Sequence, residues 1–334
     1  MRNRTSGNRI SVLGAGVWGT VLANHLARHR RRIRLWEISP ELARDLEKTR
    51  RHPHIPQLEL RRSVHVTPDL GATVRGSDLI IVALPSAHVR ATMRRLKRLV
   101  GSDSHRPLVV VASKGVEPST LMTMGDVIED ELPRLTGRVY ALSGPSFARE
   151  VARGVATKVL IAGREAAVGR RLKKLFDGGP LRVTVSTDRR GVELGGGLKN
   201  VLAIACGMLD GMEAGHNTKA ALLTEGFAEM GRLIVAQGGR FETVYGLAGL
   251  GDLILTGTSN ESRNRTLGEK LGGGKTLKAA MREIPTVMEG VQSARSAYKL
   301  IRASRVQAPV LEAIWRVLHR GARSRAILKA LGFN

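Results

Sequence analysis

The first half of the chain alternates short β-rich runs with stretches of helical spacing. Residues 10–13 and 33–36 read as strands on either side of a helix at 18–28, and the runs at 79–84 and 108–112 are almost wholly apolar. Strands buried on both faces have that composition. Strand, crossover helix and strand repeated in this way predict a parallel, doubly wound sheet, with residues 139–142, 159–162 and 182–186 as its later strands. Beyond about residue 188 the rhythm changes. Residues 194–209, 219–237 and 291–303 repeat apolar positions at helical spacing, and convincing strands are absent. The pattern predicts an α/β domain over residues 1–188, with its boundary near 187–191, followed by an all-helical domain over residues 189–334.

Composition narrows the choice of partner. Hydrophobic residues make up 42% of the 334, enough to bury a core, so wholesale disorder is not expected. Lys and Arg number 54 against 29 Asp and Glu, a formal net charge of +25. Such a balance suits nucleic acid, an anionic membrane surface or a small anionic substrate. The basic residues run from Arg2 to Lys329 and cluster at 28–34, 94–98 and 170–174, which reads as solvated, arginine-rich helix faces. Aromatics are only 3%, few to stack on single-stranded bases, and neither a helix-turn-helix signature nor zinc-finger spacing occurs. Nucleic acid is not the expected partner. Cys206 is the single cysteine, which rules out an intramolecular disulfide and suits a reducing cytoplasm. Arg2, Arg4 and Arg9 ahead of the apolar run 10–23 imitate a signal peptide, but cleavage there would discard the glycine pattern at 14–19. No other apolar stretch approaches the ~20 residues of a membrane span, so a soluble protein is expected.

Gly14-Ala15-Gly16-Val17-Trp18-Gly19 follows the first strand and opens the first helix. Gly14 permits the tight turn, Gly16 lets the backbone approach a pyrophosphate, and Gly19 allows close helix–strand packing. The helix N-terminus offers free N–H groups to the phosphates. Placed in strand–turn–helix context, this loop makes the sheet domain Rossmann-like and dinucleotide-binding. Glu37 ends the second strand, where a carboxylate accepts hydrogen bonds from an adenosine ribose and repels a ribose phosphate. Arg34 and other arginines lie nearby and could serve NADP, and a merely solvated Glu37 is the alternative reading. NAD is favoured; NADP stays open.

At the domain junction stands Gly195-Gly196-Gly197-Leu198-Lys199-Asn200-Val201-Leu202-Ala203, continuing through Gly207, Asp210 and Gly211 to Gly215-His216-Asn217. Glycines ahead of a helix, with Lys199 and Asn200 on its first turn, suit close approach by a ligand. A lysine there could exchange a proton with a substrate hydroxyl, although a lysine met alone is more often at the surface. This stretch resembles the signature of the glycerol-3-phosphate dehydrogenases. Further matches follow in the same order: Ser113-Lys114-Gly115, Ser143-Gly144-Pro145-Ser146-Phe147-Ala148, Gly249-Leu250-Gly251-Asp252-Leu253, Ser262-Arg263-Asn264-Arg265 and Val287-Met288-Glu289-Gly290. With the glycine loop they span nearly the whole chain. The chain is similar to the bacterial, soluble, NAD(P)-dependent form.

The resemblance implies roles. Lys199 matches the family's proton donor and acceptor, Lys114 a lysine between cofactor and substrate, and Asp252 a carboxylate near the catalytic lysine. Gly144 and Ser146 match substrate-loop positions and Ala148 a cofactor contact. Ser262, Arg263 and Asn264 match the group holding the substrate's phosphate end, with Arg263 also reaching the cofactor, while Val287 and Glu289 match further cofactor contacts. The resemblance also implies a cytoplasmic homodimer that interconverts dihydroxyacetone phosphate and sn-glycerol 3-phosphate for phospholipid synthesis. The chemistry is coherent without the family. A neutral lysine can take a hydroxyl proton, a second cation such as Lys114 lowers its pKa, and Asp252 opposes that shift. Arg263 offers a planar fork for phosphate, and Ser262 and Asn264 add neutral donors.

Three positions depart from the family's pattern. Val17 stands where serine is frequent, Ile38 where many bacterial members carry a polar or basic residue, and His216 where aspartate is usual. They bear on cofactor preference more than on reaction class. Two other functions compete: a related two-domain dehydrogenase acting on a different hydroxy acid or polyol, whose lack of phosphate would give Arg263 no anion to hold, and a basic scaffold binding nucleic acid or membrane with a vestigial dinucleotide site. Nine histidines occur without i, i+4 metal pairing, so no metal is expected. Cys206 lies on an apolar helical stretch and reads as core. Leu311 and Trp315 share helical spacing and read as packing positions, and Gly272-Gly273-Gly274-Lys275 as a connection.

Overall fold

The computed structural model describes residues 9–29, 31–100, 106–284 and 288–333. They gather into two compact units. One takes the chain up to Ser113 together with Gly125–Leu142 and Ser146–Thr187; the other takes Lys114–Met124, Ser143–Pro145 and everything from Asp188 onward.

Among the described residues the first unit is built on ten strands: β1 (Ile10–Leu13), β2 (Ile33–Trp36), β3 (Arg51–His52), β4 (Ile55–Glu59), β5 (Val64–Thr67), β6 (Leu79–Val82), β7 (Leu108–Val111), β8 (Val139–Ser143), β9 (Thr157–Ala162) and β10 (Leu181–Ser186). Eight form one sheet in the order β10-β9-β8-β7-β6-β1-β2-β5, and β3 pairs with β4 in a small antiparallel hairpin. β1 pairs in parallel with β2 and β6, β2 with β5, β6 with β7, β7 with β8, and β9 with β10. All four residues of β1 and of β6 are buried, as their unbroken apolar sequences require. β5 was not legible from periodicity. Only Val64 and Val66 are buried along it, on one side of an exposed His65, which is the alternation of a strand at the sheet's edge. From β1 the chain runs to β2 and β5 on one side, then crosses back to β6 on the other. The C-terminal end of β1 therefore stands at the switch point where such sheets bind ligands. Helix α1 (Val17–Leu26) leaves from that point.

The second unit is helical around α2 (Arg189–Gly211), with α3 (Gly215–Ala236), α4 (Asp252–Thr258), α5 (Arg263–Gly272), α6 (Glu289–Ser304) and α7 (Pro309–Arg320). No strand occurs past Ser186 among the described residues. α2 starts where Asp188 caps it: one carboxylate oxygen accepts the Gly191 N–H at 2.8 Å and the other the Arg240 N–H at 2.8 Å. A capping interaction of this kind is worth about 1 kcal/mol. Every residue from Gly191 to Leu209 is buried. By length and a mean hydropathy of 1.3 this helix could cross a membrane, which the sequence pattern did not suggest, yet its apolar window lies wholly inside the protein. It is a core helix. Cys206 is fully buried in it, as expected of a core residue, and burial pushes its thiol up to about 12. Leu311 is buried, and Trp315 stacks on Tyr298 at 3.6 Å between ring centres.

Candidate active site

In the sheet unit, the loop after β1 has the geometry a dinucleotide requires. Gly14 holds φ at +103°, and a Cβ there would lie 2.7 Å from the Ala83 carbonyl oxygen. Its N–H donates to the Trp36 carbonyl at 3.0 Å, which fastens the loop to the end of β2. A Cβ on Gly19 would run into the Gly14 carbonyl, so α1 packs directly on the turn. Gly16 is different. It is exposed, caps α1 without any side-chain bond, and has nothing within 4 Å of where a Cβ would stand. The helix thus begins at an open cradle with its first N–H groups uncapped by a side chain, and a pyrophosphate fits there. Val17 and Trp18 are half-buried on the first turn. Glu37 is not a solvated carboxylate: it is nearly buried, and one oxygen accepts the Ser39 N–H at 3.0 Å. Arg34, the nearest candidate for a ribose phosphate, donates instead to the carbonyls of Ala72, Thr73 and Arg75 at 3.0, 3.3 and 2.9 Å. Ser146 and Ala148 belong to this unit and are half-buried.

The helical unit collects the ionic groups. Lys114 and Gly144 belong to it although they precede α2 in sequence. Lys199 lies on α2 with 4% of its surface exposed and donates to Asp252 Oδ1 at 2.8 Å. Lys114 Nζ meets Asp252 Oδ2 at 2.5 Å and the Gly144 carbonyl at 3.3 Å. Asp252 is 1% exposed and opens α4 directly after a single π-helical turn, Leu247–Gly251, a distortion frequent at functional sites. Two lysines therefore share one buried carboxylate, Lys199 itself buried and Lys114 half-buried. Burial is the largest influence on Lys199 and lowers it from 10.5 to about 8; Asp252 pulls upward and Lys114 downward. Charge from Lys114 alone, the cause expected from sequence, is a lesser contribution than burial. Burial also pushes the Asp252 carboxyl up, but the two lysines outweigh it and hold the group below its usual range.

The glycines at 195–197 do not precede a helix with Lys199 on its first turn; α2 begins two turns earlier, and they sit within it. They are there for close approach. A Cβ on Gly195 would stand 2.9 Å from the Ala248 carbonyl, one on Gly196 2.7 Å from Ser143 Oγ, and one on Gly197 3.3 Å from the Gly115 Cα. Three glycines let three segments of the site reach the helix that carries Lys199.

Ser262 is buried and caps α5, its Oγ accepting the Arg265 N–H at 3.3 Å. Arg263 on the first turn is exposed, and Asn264 Oδ1 accepts the Gly290 N–H at 3.2 Å, joining α5 to the start of α6. Glu289 begins α6 and is half-buried. Val287 lies outside the described residues. Sequence reasoning passed over the groups that hold Lys114's segment: Thr123 Oγ1 donates to the buried Glu193 at 2.9 Å, and Ser296 Oγ to the Val116 carbonyl at 2.7 Å. A buried acid on an apolar helix was the available signal at Glu193. Among the described residues no group of three His, Cys, Asp or Glu side chains is placed to hold a metal.

Comparison with known proteins bears on these clusters. Residues 9–168 match the family model described as NAD-dependent glycerol-3-phosphate dehydrogenase N-terminus, and residues 188–329 match the C-terminus model. The chain belongs to the NAD-dependent glycerol-3-phosphate dehydrogenase family. It is 44% identical over 327 residues to glycerol-3-phosphate dehydrogenase [NAD(P)+] of Geobacter sulfurreducens, covering 97% of this chain and 96% of that one. The protein of the same name from Anaeromyxobacter sp. (strain K) is 43% identical, with 97% of each chain covered. Among solved structures, glycerol-3-phosphate dehydrogenase from Coxiella burnetii aligns with a TM-score of 0.89 at 34% identity, over 97% of this chain and 98% of that one. As a member of the glycerol-3-phosphate dehydrogenase family, the chain is an NAD(P)-dependent oxidoreductase with a Rossmann-like sheet followed by helices.

Proposed function

We propose that the cluster of Lys199, Lys114 and Asp252 performs the proton transfer of glycerol-3-phosphate dehydrogenase, the reversible interconversion of dihydroxyacetone phosphate and sn-glycerol 3-phosphate that feeds phospholipid synthesis. The observation that carries the reading is Lys199: buried, anchored on Asp252, and lowered to about 8, where amine and ammonium forms are both accessible near neutral pH. In reduction, Lys199 Nζ–H gives its proton to the ketone oxygen as charge develops there, with Lys114 as a second cation beside it. In oxidation, neutral Lys199 takes the proton from the hydroxyl on the middle carbon. Asp252 holds both ammonium groups in place and keeps Lys199 from losing its proton altogether.

Gly144 and Ser146 line the substrate, and Ser262, Arg263 and Asn264 hold its phosphate, Arg263 as a two-pronged donor. Gly14, Gly16, Val17, Trp18, Gly19, Glu37, Ala148, Val287 and Glu289, with Lys114 and Arg263, hold the dinucleotide, which when bound gives or takes the hydride. Glu37 at the end of β2 and the engagement of Arg34 by backbone carbonyls favour NAD. The same proposal gives the main part of dinucleotide binding to residues 1–188 and the main part of substrate binding and catalysis to residues 189–334, with Lys114, Gly144 and Ser146 serving the substrate from the first stretch and Arg263, Val287 and Glu289 the dinucleotide from the second, and it includes a cytoplasmic homodimer.

The test is an absorbance assay with dihydroxyacetone phosphate and, in parallel, NADH or NADPH. Turnover with NADH ahead of NADPH is expected, and no turnover with either from folded protein sinks the reading. Lys199→Ala should abolish turnover while dinucleotide binding survives; near-normal activity would refute the role of Lys199.

A further inference from the structure

We propose that Asp210, with Arg265 and Lys219, is a positioning device that sets where the phosphate end of the substrate is held relative to Lys199. The proposal rests on the assignment of that phosphate to Ser262, Arg263 and Asn264. Those three residues form the first turn of α5 and its cap, so whatever fixes that turn fixes the phosphate.

Helices α2 and α5 lie backbone to backbone. A Cβ on Gly207 would collide with the Arg265 carbonyl, and one on Gly268 with the Ile204 carbonyl. Glycine faces set the distance between two helices, but they carry no side chain that stops one sliding along the other. The ionic cluster supplies that stop. Asp210 Oδ2 on α2 meets Arg265 Nε on α5 at 2.7 Å, as an ion pair rather than an aligned hydrogen bond, and Oδ1 meets Lys219 Nζ from α3.

Arg265 then reaches back over the start of its own helix. Its Nη1 donates to Asn260 Oδ1 at 2.6 Å in the connection before α5, and its backbone N–H donates to the Ser262 cap. One residue thus grips the phosphate-holding turn from two sides and is itself anchored on α2. Asp210 stands about three turns beyond Lys199 along that helix, which places both on the same side of it. The proton-transfer end and the phosphate end of the substrate are spaced by one rigid element. All three side chains are mostly buried, at 17%, 13% and 15% exposed for Asp210, Arg265 and Lys219, so solvent screens their interaction weakly. None of the three is in the Lys199–Lys114–Asp252 cluster, so they act through the turn they hold.

A device of this kind changes substrate affinity rather than proton chemistry. Asp210→Asn should raise the KM for dihydroxyacetone phosphate about tenfold or more, with kcat and the NADH dissociation constant within about twofold of the parent. The double variant Asp210→Asn/Lys219→Gln restores the cluster's net charge without the anchor, and its KM should stay high. A normal KM in folded Asp210→Asn overturns the proposal, and so does recovery in the double variant, because charge rather than anchoring would then be at work. If Asp210→Asn does not fold, Arg265→Lys keeps the cation but cannot span Asp210 and Asn260 together; a raised KM supports the device and a normal one overturns it. Arg263→Ala separates the two levels. An unmoved KM there removes the phosphate assignment itself, whereas a raised KM beside a normal Asp210→Asn removes only the positioning role.

Discussion

Lys199 illustrates how little of a residue's chemistry resides in its type. In water its ammonium would hold its proton up to 10.5; inside α2 the loss of hydration brings that down to about 8, and the opposed pulls of Asp252 and Lys114 set where it stops. The sign of the pH dependence follows. Ketone reduction needs the ammonium, so its rate should fall as pH rises through about 8; oxidation of the alcohol needs the amine and should rise through the same interval. Lys114→Met removes a charge that lowers Lys199, so the midpoint should move up, on the order of one pH unit. Asp252→Asn should move it down. Rate–pH profiles of the three proteins in both directions check this, and a midpoint that ignores both substitutions would detach the profile from Lys199. Of this the sequence carried the identities of the three residues. The burial of Lys199, the dominant cause, came only from folding, because no local pattern tells a lysine on an apolar helix which side it faces.

At the scale of elements, two glycines of the site do opposite jobs. Gly195 is filled from outside: an added Cβ would press on the Ala248 carbonyl at 2.9 Å, in the π-helical turn that delivers Asp252. Gly195→Ala should therefore cost about 1–3 kcal/mol of stability and reduce kcat together. Gly16 faces open space with φ at −62°, so Gly16→Ala should leave stability within about 0.5 kcal/mol of the parent while raising the KM for dinucleotide. Denaturant melts beside steady-state kinetics distinguish the two, and a stability loss at Gly16 with unchanged KM would contradict the open cradle. The glycine loop was legible because its turn, its helix start and its spacing are local. The glycines at 195–197 were misplaced ahead of a helix because glycine ordinarily ends helices. Here Asp188 caps earlier and packing against 114–115, 143 and 248 compensates, and those partners lie far away in sequence.

Over the whole molecule, the charge of +25 should draw an anionic substrate and an anionic cofactor toward the protein. The kcat/KM for dihydroxyacetone phosphate should then fall as ionic strength rises, with kcat nearly constant; a salt-independent kcat/KM would leave the charge without a part in substrate capture. The class of fold, the order of sheet and helices, the switch-point loop and the family could all be read along the chain, because apolar periodicity and short motifs are properties of neighbouring residues. It missed the edge strand β5, whose four residues carry too little periodicity to stand out. Folding in three dimensions was needed to place Lys114 and Gly144 with the helices rather than the sheet, to bury Lys199, and to tie α2 to α5 through Asp210 and Arg265. Each of those depends on contacts between segments distant along the chain, where solvent is excluded and charges feel one another strongly.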